Sequence, residues 1–439
     1  MLVYLFARFE FSDLSNIRGA IFIGGPLIVI MVAIIVLRTG QELRLAITVS
    51  GLCAVCAVFA AEIYLQMRPP TVAPTPEEYA KENGLPFDSR SRKEVAADLR
   101  RDYGQVFPPG VGSQLTVLQE DGNRHSPLKI EGRELIPLSS VANAPILFCN
   151  TNGQWVWYWS DEQGFNNPPG LWRPNDVDLM VVGSSFTHGT CEPRGKNMVD
   201  TIRKYIPKTI NAGLPAIFAY DMLALTREFA SVVRPKTVLW VINSNALSKL
   251  EPFFPVPLLD RYMTSKQSRL QSLYENKSKI DLILKAFYDQ KSKDNLTRNT
   301  AIGRQPFSYT DVLLLRRLRL NIGLDMGGGK HNYAWFEKLI GKAKAETETW
   351  GGSFVLAFIP VITQFRGLSR TKQYQIEIRD KFKRIAARME VPLIDTSPIF
   401  DALEDPTKLF MPVDLHFNTL GYQKVGTFIA REINKINRD

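Results

Sequence analysis

Residues 178–189 read DLMVVGSSFTHG. The run 179–182 is continuously apolar, as expected of a strand buried on both faces, and it ends in Gly183 followed by small hydroxyl residues. A serine just past a buried strand, in a glycine-flanked turn that opens a helix, is exposed and close to backbone amides that favour developing negative charge. Ser185 is therefore a candidate nucleophile, with Ser184 and His188 as candidate pocket residues of the same turn. The same letters also suit a plainer role, since Ser184, Ser185 and Thr187 are all capable helix caps.

Outward from this turn the chain alternates short apolar strands with helical segments, the pattern of a parallel sheet flanked by helices and hence of an α/β domain. Strands are expected at 179–183, 208–213, 237–243, 353–360 and 392–395, with helices at 197–205, 219–232 and 373–389. Ligands in such sheets bind beyond the carboxyl ends of the strands, which selects the loops there. NAG at 211–213 offers Gly213, where a backbone amide can approach a ligand or a chain can simply turn. NSNAL at 243–247 offers Asn245 as a side-chain donor to an oxyanion. DLHFNTLGY at 414–422 offers a base: of the four histidines, His125, His188, His331 and His416, only His416 has a carboxylate, Asp414, close by in a loop before a helix. A base held in one tautomer by an acid is what a serine nucleophile requires.

In chain order, Ser185 in GSSFTHG, Gly213 in NAG, Asn245 in NSN and Asp414 with His416 in DLHFN resemble the four blocks of the SGNH/GDSL hydrolases and acyltransferases. The resemblance spans roughly 178–435. It implies a flavodoxin-like three-layer sandwich, an acyl-serine intermediate on Ser185, His416 as base, Asp414 as orienting acid, and an oxyanion hole from Gly213, Asn245 and the Ser185 amide. No metal or other cofactor is implied. Three departures stand out: Ser184 replaces the usual aspartate, Asn243 replaces the glycine of the third block, and the acid precedes the histidine by two residues instead of three. Upstream, 137–155 (PLSSVANAPILFCNTNGQW) and 160–168 (SDEQGFNNP) look like the lead-in of membrane-anchored bacterial members found with polysaccharide genes. That likeness implies an acylated glycan as substrate, membrane proteins of polysaccharide assembly as partners, and a catalytic domain outside the cytoplasmic membrane. A glycan-binding scaffold that keeps the fold but not the activity is the alternative.

The N-terminus adds an anchor. Residues 19–37 are uncharged and, at about 1.5 Å per residue, long enough for a bilayer core of about 30 Å. A second apolar run, 45–67, has Glu62 as its only charge, near the end where it can reach the interface. Residues 1–67 thus read as a two-helix transmembrane hairpin, 68–92 as a proline-rich tether, and 93–177 as an extension packed on the main domain, with a short helix at Arg92–Tyr103. The domain itself, 178–439, carries a largely helical insertion at about 250–350 that could cover the site.

Charge alone does not orient the hairpin, because arginines flank both of its sides. Lys and Arg exceed Asp and Glu by 54 to 44, but they are spread along the chain, and no nucleic-acid module signature accompanies them. The four cysteines show no zinc-type clustering. Cys149 and Cys191 suit either a disulfide in an oxidising compartment or two buried free thiols.

Overall fold

The computed structural model describes residues 27, 30, 31, 33–67, 74–243, 255–293, 309–321, 333–365 and 369–438. These fall into two compact units: one holds the described residues up to 67 together with 309–321, the other holds the remainder.

In the larger unit, an antiparallel hairpin of β1 (Pro145–Cys149) and β2 (Val156–Trp159) precedes a five-stranded sheet. The sheet strands are β3 (Leu179–Gly183), β4 (Thr209–Gly213), β5 (Thr237–Ile242), β6 (Ser353–Phe358) and β7 (Leu393–Asp395). Each expected strand is present, within two residues at its ends. All pairings are parallel, in the order β7-β6-β5-β3-β4. Read from the other edge this is the flavodoxin-like order 2-1-3-4-5, whose connections reverse direction between β3 and β5.

The sheet is buried on both faces, and its alternation sorts side chains into two cores. Leu179 and Val181 join Leu239, Val241, Val355 and Ala357 on one face, whereas Met180 and Val182 join Val238, Trp240, Leu356 and Phe358 on the other. Helices Met198–Arg203 and Thr419–Ile436 cover the first face. Tyr333–Glu348 and the helical run from Ala219 cover the second, which completes the three-layer sandwich. That run contains a π-helical turn at Thr226–Ala230.

The extension before the sheet is fastened by a buried carboxylate. Asp161 accepts hydrogen bonds from Trp172 Nε1 (2.6 Å), Asn167 Nδ2 (2.7 Å) and the amides of Phe165 (2.8 Å) and Gln163 (2.9 Å). Burial raises its pKa to about 6 against these four donors, so it is ionised at neutral pH. Asn167, so oriented, reaches β4: the Asn211 amide donates to its Oδ1 at 2.8 Å, and its Nδ2 donates to the Asn211 carbonyl at 3.0 Å. The 160–168 stretch thus satisfies backbone groups at the edge of the sheet.

Two expectations change. The tether is not uniformly extended: Pro76–Glu82 is a helix, because Pro76 suits the first helical turn and Thr75 with Glu78 forms a reciprocal capping box. Beyond it the chain is already pinned, the Asp88 amide donating to the Gly153 carbonyl at 2.8 Å. The insertion is largely helical where described, at Pro257–Thr264, Lys277–Lys293, Tyr309–Leu313, Arg316–Asn321 and Tyr333–Glu348, with 265–276 irregular, but it serves two ends. Its 309–321 part belongs with the N-terminal unit.

That unit is built on one helix, Gln41–Met67, whose 27 residues at about 1.5 Å each are long and apolar enough to cross a membrane. It begins four residues before the expected 45–67 run. Of the expected first span, 19–37, only 27, 30, 31 and 33–37 are described, all helical, and the rest lies outside the described residues, so the structure does not show a two-helix hairpin. Glu62, near the end of this helix, is partnered within the same unit. It is fully buried, accepting hydrogen bonds from the amides of Arg317 (2.9 Å) and Leu318 (2.6 Å), because a carboxylate at the first turn of Arg316–Asn321 satisfies donors that the helix itself leaves free.

Replacing Asp161 with Ala leaves four buried donors facing a gap and should lower stability by about 3–5 kcal/mol, whereas Trp172→Phe, which removes one donor, should cost about 1–2 kcal/mol. Denaturant unfolding of the detergent-solubilised protein checks this; equal losses in the two variants would mean that the carboxylate is not the fastening point.

Candidate active site

Two strand ends and one distant loop make the site. The first strand end is the β3 turn. Ser184 stands at the N-cap of a one-turn helix, Ser185–His188, but its side chain makes no capping bond; the turn is closed by the Thr187 and His188 amides donating to the Ser184 carbonyl at 2.9 and 3.0 Å. The turn sits very close to the sheet. A Cβ on Gly183 would lie 2.2 Å from Thr187 Oγ1, and one on Gly213, its neighbour across β4, would lie 2.3 Å from the His188 nitrogen. Glycine is needed at both positions so that the serine turn can rest on the strand ends.

The distant loop comes from the far end of the chain. His416 lies between the 3₁₀ turn Pro406–Leu409 and the helix Thr419–Ile436. Its carbonyl accepts from the Met411 amide at 2.9 Å, and Phe417 beside it is fully buried against Phe400, Phe410 and Tyr422. Asn418 caps the helix by accepting from the Gly421 amide at 3.0 Å. Phe186, next to the serine, packs its ring 4.7 Å from the His416 ring and 4.8 Å from that of Phe417. One apolar cluster therefore holds both loops.

Ser185 Oγ and His416 Nε2 are 2.7 Å apart, and His416 Nδ1 is hydrogen-bonded to Asp414 Oδ1. An acid two residues before the histidine can reach it because the loop folds back: the same Oδ1 accepts from the His416 amide at 3.0 Å. Burial would raise the Asp414 pKa, but the hydrogen bond and charge of His416 and the amides of His416 and Leu415 outweigh it and hold the carboxyl below its ordinary value. Asp414 is ionised. Facing a carboxylate, Nδ1 carries the imidazole proton, which leaves Nε2 as an acceptor for the serine hydroxyl.

A cavity of about 160 Å³ opens beside Ser185. Ser184, Phe186, Asn243, Leu415 and His416 line one part, and Ala216, Ile217, Phe218 and Met222 close it with apolar surface. Its back wall is set by a second buried acid. Asp221 accepts from the Phe218 amide at 2.9 Å and from the amide and hydroxyl of Ser113 at 3.0 and 2.7 Å, tying the wall to the extension.

The remaining candidates are placed differently. His188 does not face the cavity. It is buried on the far side of the turn, its Nε2 2.8 Å from the Tyr158 hydroxyl and its ring against Phe148. Burial, with the charge of His416, depresses its pKa to about 3, so it stays neutral. The Gly213 amide donates to Asn211 Oδ1 at 2.9 Å, and Gly213 is absent from the described cavity lining. Asn245 and His331 lie outside the described residues; Asn243 is the asparagine of that loop seen at the cavity. Cys149 and Cys191 are joined by a disulfide with a Cα separation of 5.5 Å, tying the end of β1 to a residue shortly after the serine turn. Closing this 42-residue loop is worth about 4 kcal/mol in the chain-entropy account. None of the insertion's described residues lines the cavity. Among the described residues no cluster of three metal-ligating side chains occurs.

No family model and no curated protein matches the chain. Solved structures that align with part of it include the lipase/acylhydrolase from Enterococcus faecalis, at 14% identity over 59% of this chain and 96% of that one, with a TM-score of 0.32. A putative acylhydrolase from Bacteroides fragilis aligns at 13% identity over 61% and 91%, with a TM-score of 0.35. An acetyl xylan esterase, AlAXEase, aligns at 11% identity over 58% and 99%, with a TM-score of 0.35.

Sequence reasoning missed Phe186, Ile217, Phe218 and Tyr158. Phe186 carried a signal, since the residue after a nucleophile on a one-turn helix must face the base loop or the core. Ile217 and Phe218 carried none, because apolar residues in a loop look alike whether they line a cavity or fill a core, and Tyr158 carried none because an inward strand residue looks the same whatever it meets.

Asp414→Asn keeps the shape but permits the wrong imidazole tautomer, so covalent labelling of Ser185 by a fluorophosphonate should slow by about 10²–10⁴-fold without loss of fold. Gly213→Ala should abolish labelling by displacing the 187–188 peptide. Normal labelling in both variants, followed by stopped-flow or gel fluorescence, would show that neither contact sets the serine's reactivity.

Proposed function

We propose that this chain is a membrane-anchored serine esterase or O-acyltransferase that acts on short acyl esters, acetyl foremost, of exported or cell-surface glycans. The observation that carries the reading is the Ser185–His416–Asp414 relay at the mouth of a small apolar cavity. His416 Nε2 takes the Ser185 proton as Oγ attacks the ester carbonyl; collapse breaks the bond to the alcohol oxygen, which leaves with the proton from His416. The product is an acyl-serine. Water then regenerates a free acid, or a sugar hydroxyl accepts the acyl group, with His416 again moving the proton. The Ser185 amide, at the start of its helix, and an asparagine of the 243–245 loop serve as oxyanion donors. A cavity of about 160 Å³ favours acetyl or a similarly short chain over a long one. The apolar helix Gln41–Met67 supports anchoring in a cytoplasmic membrane, and the Cys149–Cys191 disulfide supports an extracytoplasmic domain, where partner membrane proteins of glycan assembly would meet it.

One observation favours a second reading, a glycan-binding scaffold with reduced chemistry: the Gly213 amide is already donated to Asn211, leaving one oxyanion donor fewer. The two readings separate on covalent chemistry. A fluorophosphonate should label the wild type and not Ser185→Ala, and acetate should be released from acetylated oligosaccharide, faster if a sugar acceptor is added and the protein is a transferase. Folded wild type that neither labels nor releases acetate would leave only the scaffold. A C-terminal reporter that is active in the cytoplasm would remove the extracytoplasmic placement.

A further inference from the structure

The hairpin of β1 and β2 has a second face. Along a strand successive side chains point to opposite sides, and in 154–160 (QWVWYWS) the split is between large groups. Val156 and Tyr158 are buried, Tyr158 bonding to His188 behind the serine turn. Trp155, Trp157 and Trp159 share the other face, over about 13 Å from first to last. Three of the chain's seven tryptophans thus form one ladder, and none of them is fully buried. Tyr103, at the end of Arg92–Tyr103, extends it: its ring lies 5.2 Å from Trp157 and 5.7 Å from Trp159, and it is 44% exposed. Core packing alone would not leave four large aromatic rings accessible side by side.

Trp155, Trp157 and Tyr103 form a wall of a cleft of about 670 Å³, larger than the cavity at Ser185, with Trp159 next to Tyr103 just outside its lining. Its rim is polar and held in place. Arg90 bridges Asp88 (2.6 Å) and Asp98 (2.8 Å), and the Arg90 carbonyl accepts from Trp155 Nε1 at 2.9 Å, which fixes that indole. Asp102 completes the rim, so three carboxylates and one guanidinium line the cleft. Arg101 stands beside this rim, 3.2 Å from Asp98 and 3.7 Å from Asp102, so each of the three carboxylates has a guanidinium partner.

We infer that this cleft is a saccharide-binding site, separate from Ser185, that takes an uncharged glycan chain. The C–H faces of sugar rings stack on the electron-rich faces of indole and phenol rings, and sugar hydroxyls donate to fixed carboxylates. Arg90, the cation of the described lining, is already held by Asp88 and Asp98, so the cleft offers no free cation to an acidic glycan. Rings locked by the Trp155–Arg90 bond and by mutual packing lose little freedom when a ligand arrives. Because β2 presents the ladder on one face and Tyr158 on the other, the strand that grips the chain also backs the serine turn.

Binding here does not depend on turnover, so it is tested in the full-length Ser185→Ala protein, in nanodiscs, by calorimetry and tryptophan fluorescence with xylohexaose, cellohexaose and mannohexaose. At least one of these uncharged hexasaccharides should bind saturably. Trp157→Ala, Tyr103→Ser and Asp102→Asn should each weaken it by about tenfold, and the latter two, at exposed positions, should leave the unfolding temperature unchanged. Hexagalacturonate should not bind. The inference falls if none of the three uncharged hexasaccharides binds, if binding survives Tyr103→Ser and Asp102→Asn undiminished, or if the cleft residues instead prove necessary for binding hexagalacturonate, a peptide or lipid vesicles. A dead esterase that still binds sugar through the cleft would sink the proposed chemistry and leave this site standing.

Discussion

Ser185 and His416 are 231 residues apart in sequence and must meet within one hydrogen bond. A side-chain contact between two loops cannot enforce such a meeting, because a neutral hydrogen bond contributes only about 1 kcal/mol net. The constraint comes from beneath. On the serine side, Gly183 and Gly213 let a one-turn helix lie directly on two parallel strand ends, where a single Cβ would push it away. On the histidine side, Phe417 is sunk among Phe400, Phe410 and Tyr422, so His416 has little freedom to leave. Phe186 then joins the two supports. The relay is the visible product of packing that happens one residue to either side of it.

This explains which parts of the arrangement were legible in the chain. Strands β3, β5 and β6 could be read because each is a continuous apolar run closed by glycine, asparagine or proline, β4 and β7 were shorter runs placed by the same alternation with helices, and the parallel pairing followed from the helices between them. His416 was found by elimination, being the one histidine with a carboxylate close by in a loop before a helix. The direction of His188 was not legible: three residues after a serine on a short helix, a side chain can face the pocket or the sheet, and the contact with Tyr158 that decides it comes from a hairpin formed before the domain begins. The burial of Glu62 was not legible for a similar reason. Its partners, the amides of Arg317 and Leu318, lie more than 250 residues downstream in an insertion, and no local pattern announces them.

The extension before the sheet is better described as part of the site's foundation than as an appendage. Asp161 orients Asn167 onto the β4 edge, Ser113 meets Asp221 at the cavity wall, and Cys149 is bonded to Cys191 just past the serine turn. Each of these ties a different part of the domain, the β4 edge, the helix at the cavity wall and the segment after the serine turn, to the same preceding segment. Asp161 and Asp221 are held with carboxyl pKa values pushed up to about 6 by burial, so each is costly to keep ionised and each is surrounded by donors that make it tolerable. Such groups favour one arrangement of the loops over others that would strand the charge.

The two histidines near the serine show how burial divides one residue type into two tasks. His416 is partly exposed at the cavity and faces a carboxylate that stays ionised, so a proton arriving on its Nε2 is matched by charge. His188, with its pKa depressed to about 3, cannot hold a proton at any pH where the fold is expected to work. The sign for stability follows from comparison with the unfolded chain, where a histidine titrates near 6.5: between about 6.5 and 3 the unfolded state binds a proton that the native state refuses, so His188 favours unfolding progressively as pH falls through that window. At neutral pH the penalty is nearly absent. A second imidazolium beside His416 would oppose protonation of the base in mid-reaction, and burying His188 against Tyr158 and Phe148 removes that competition. The acid sensitivity is thus the counterpart of keeping the one mobile proton on His416.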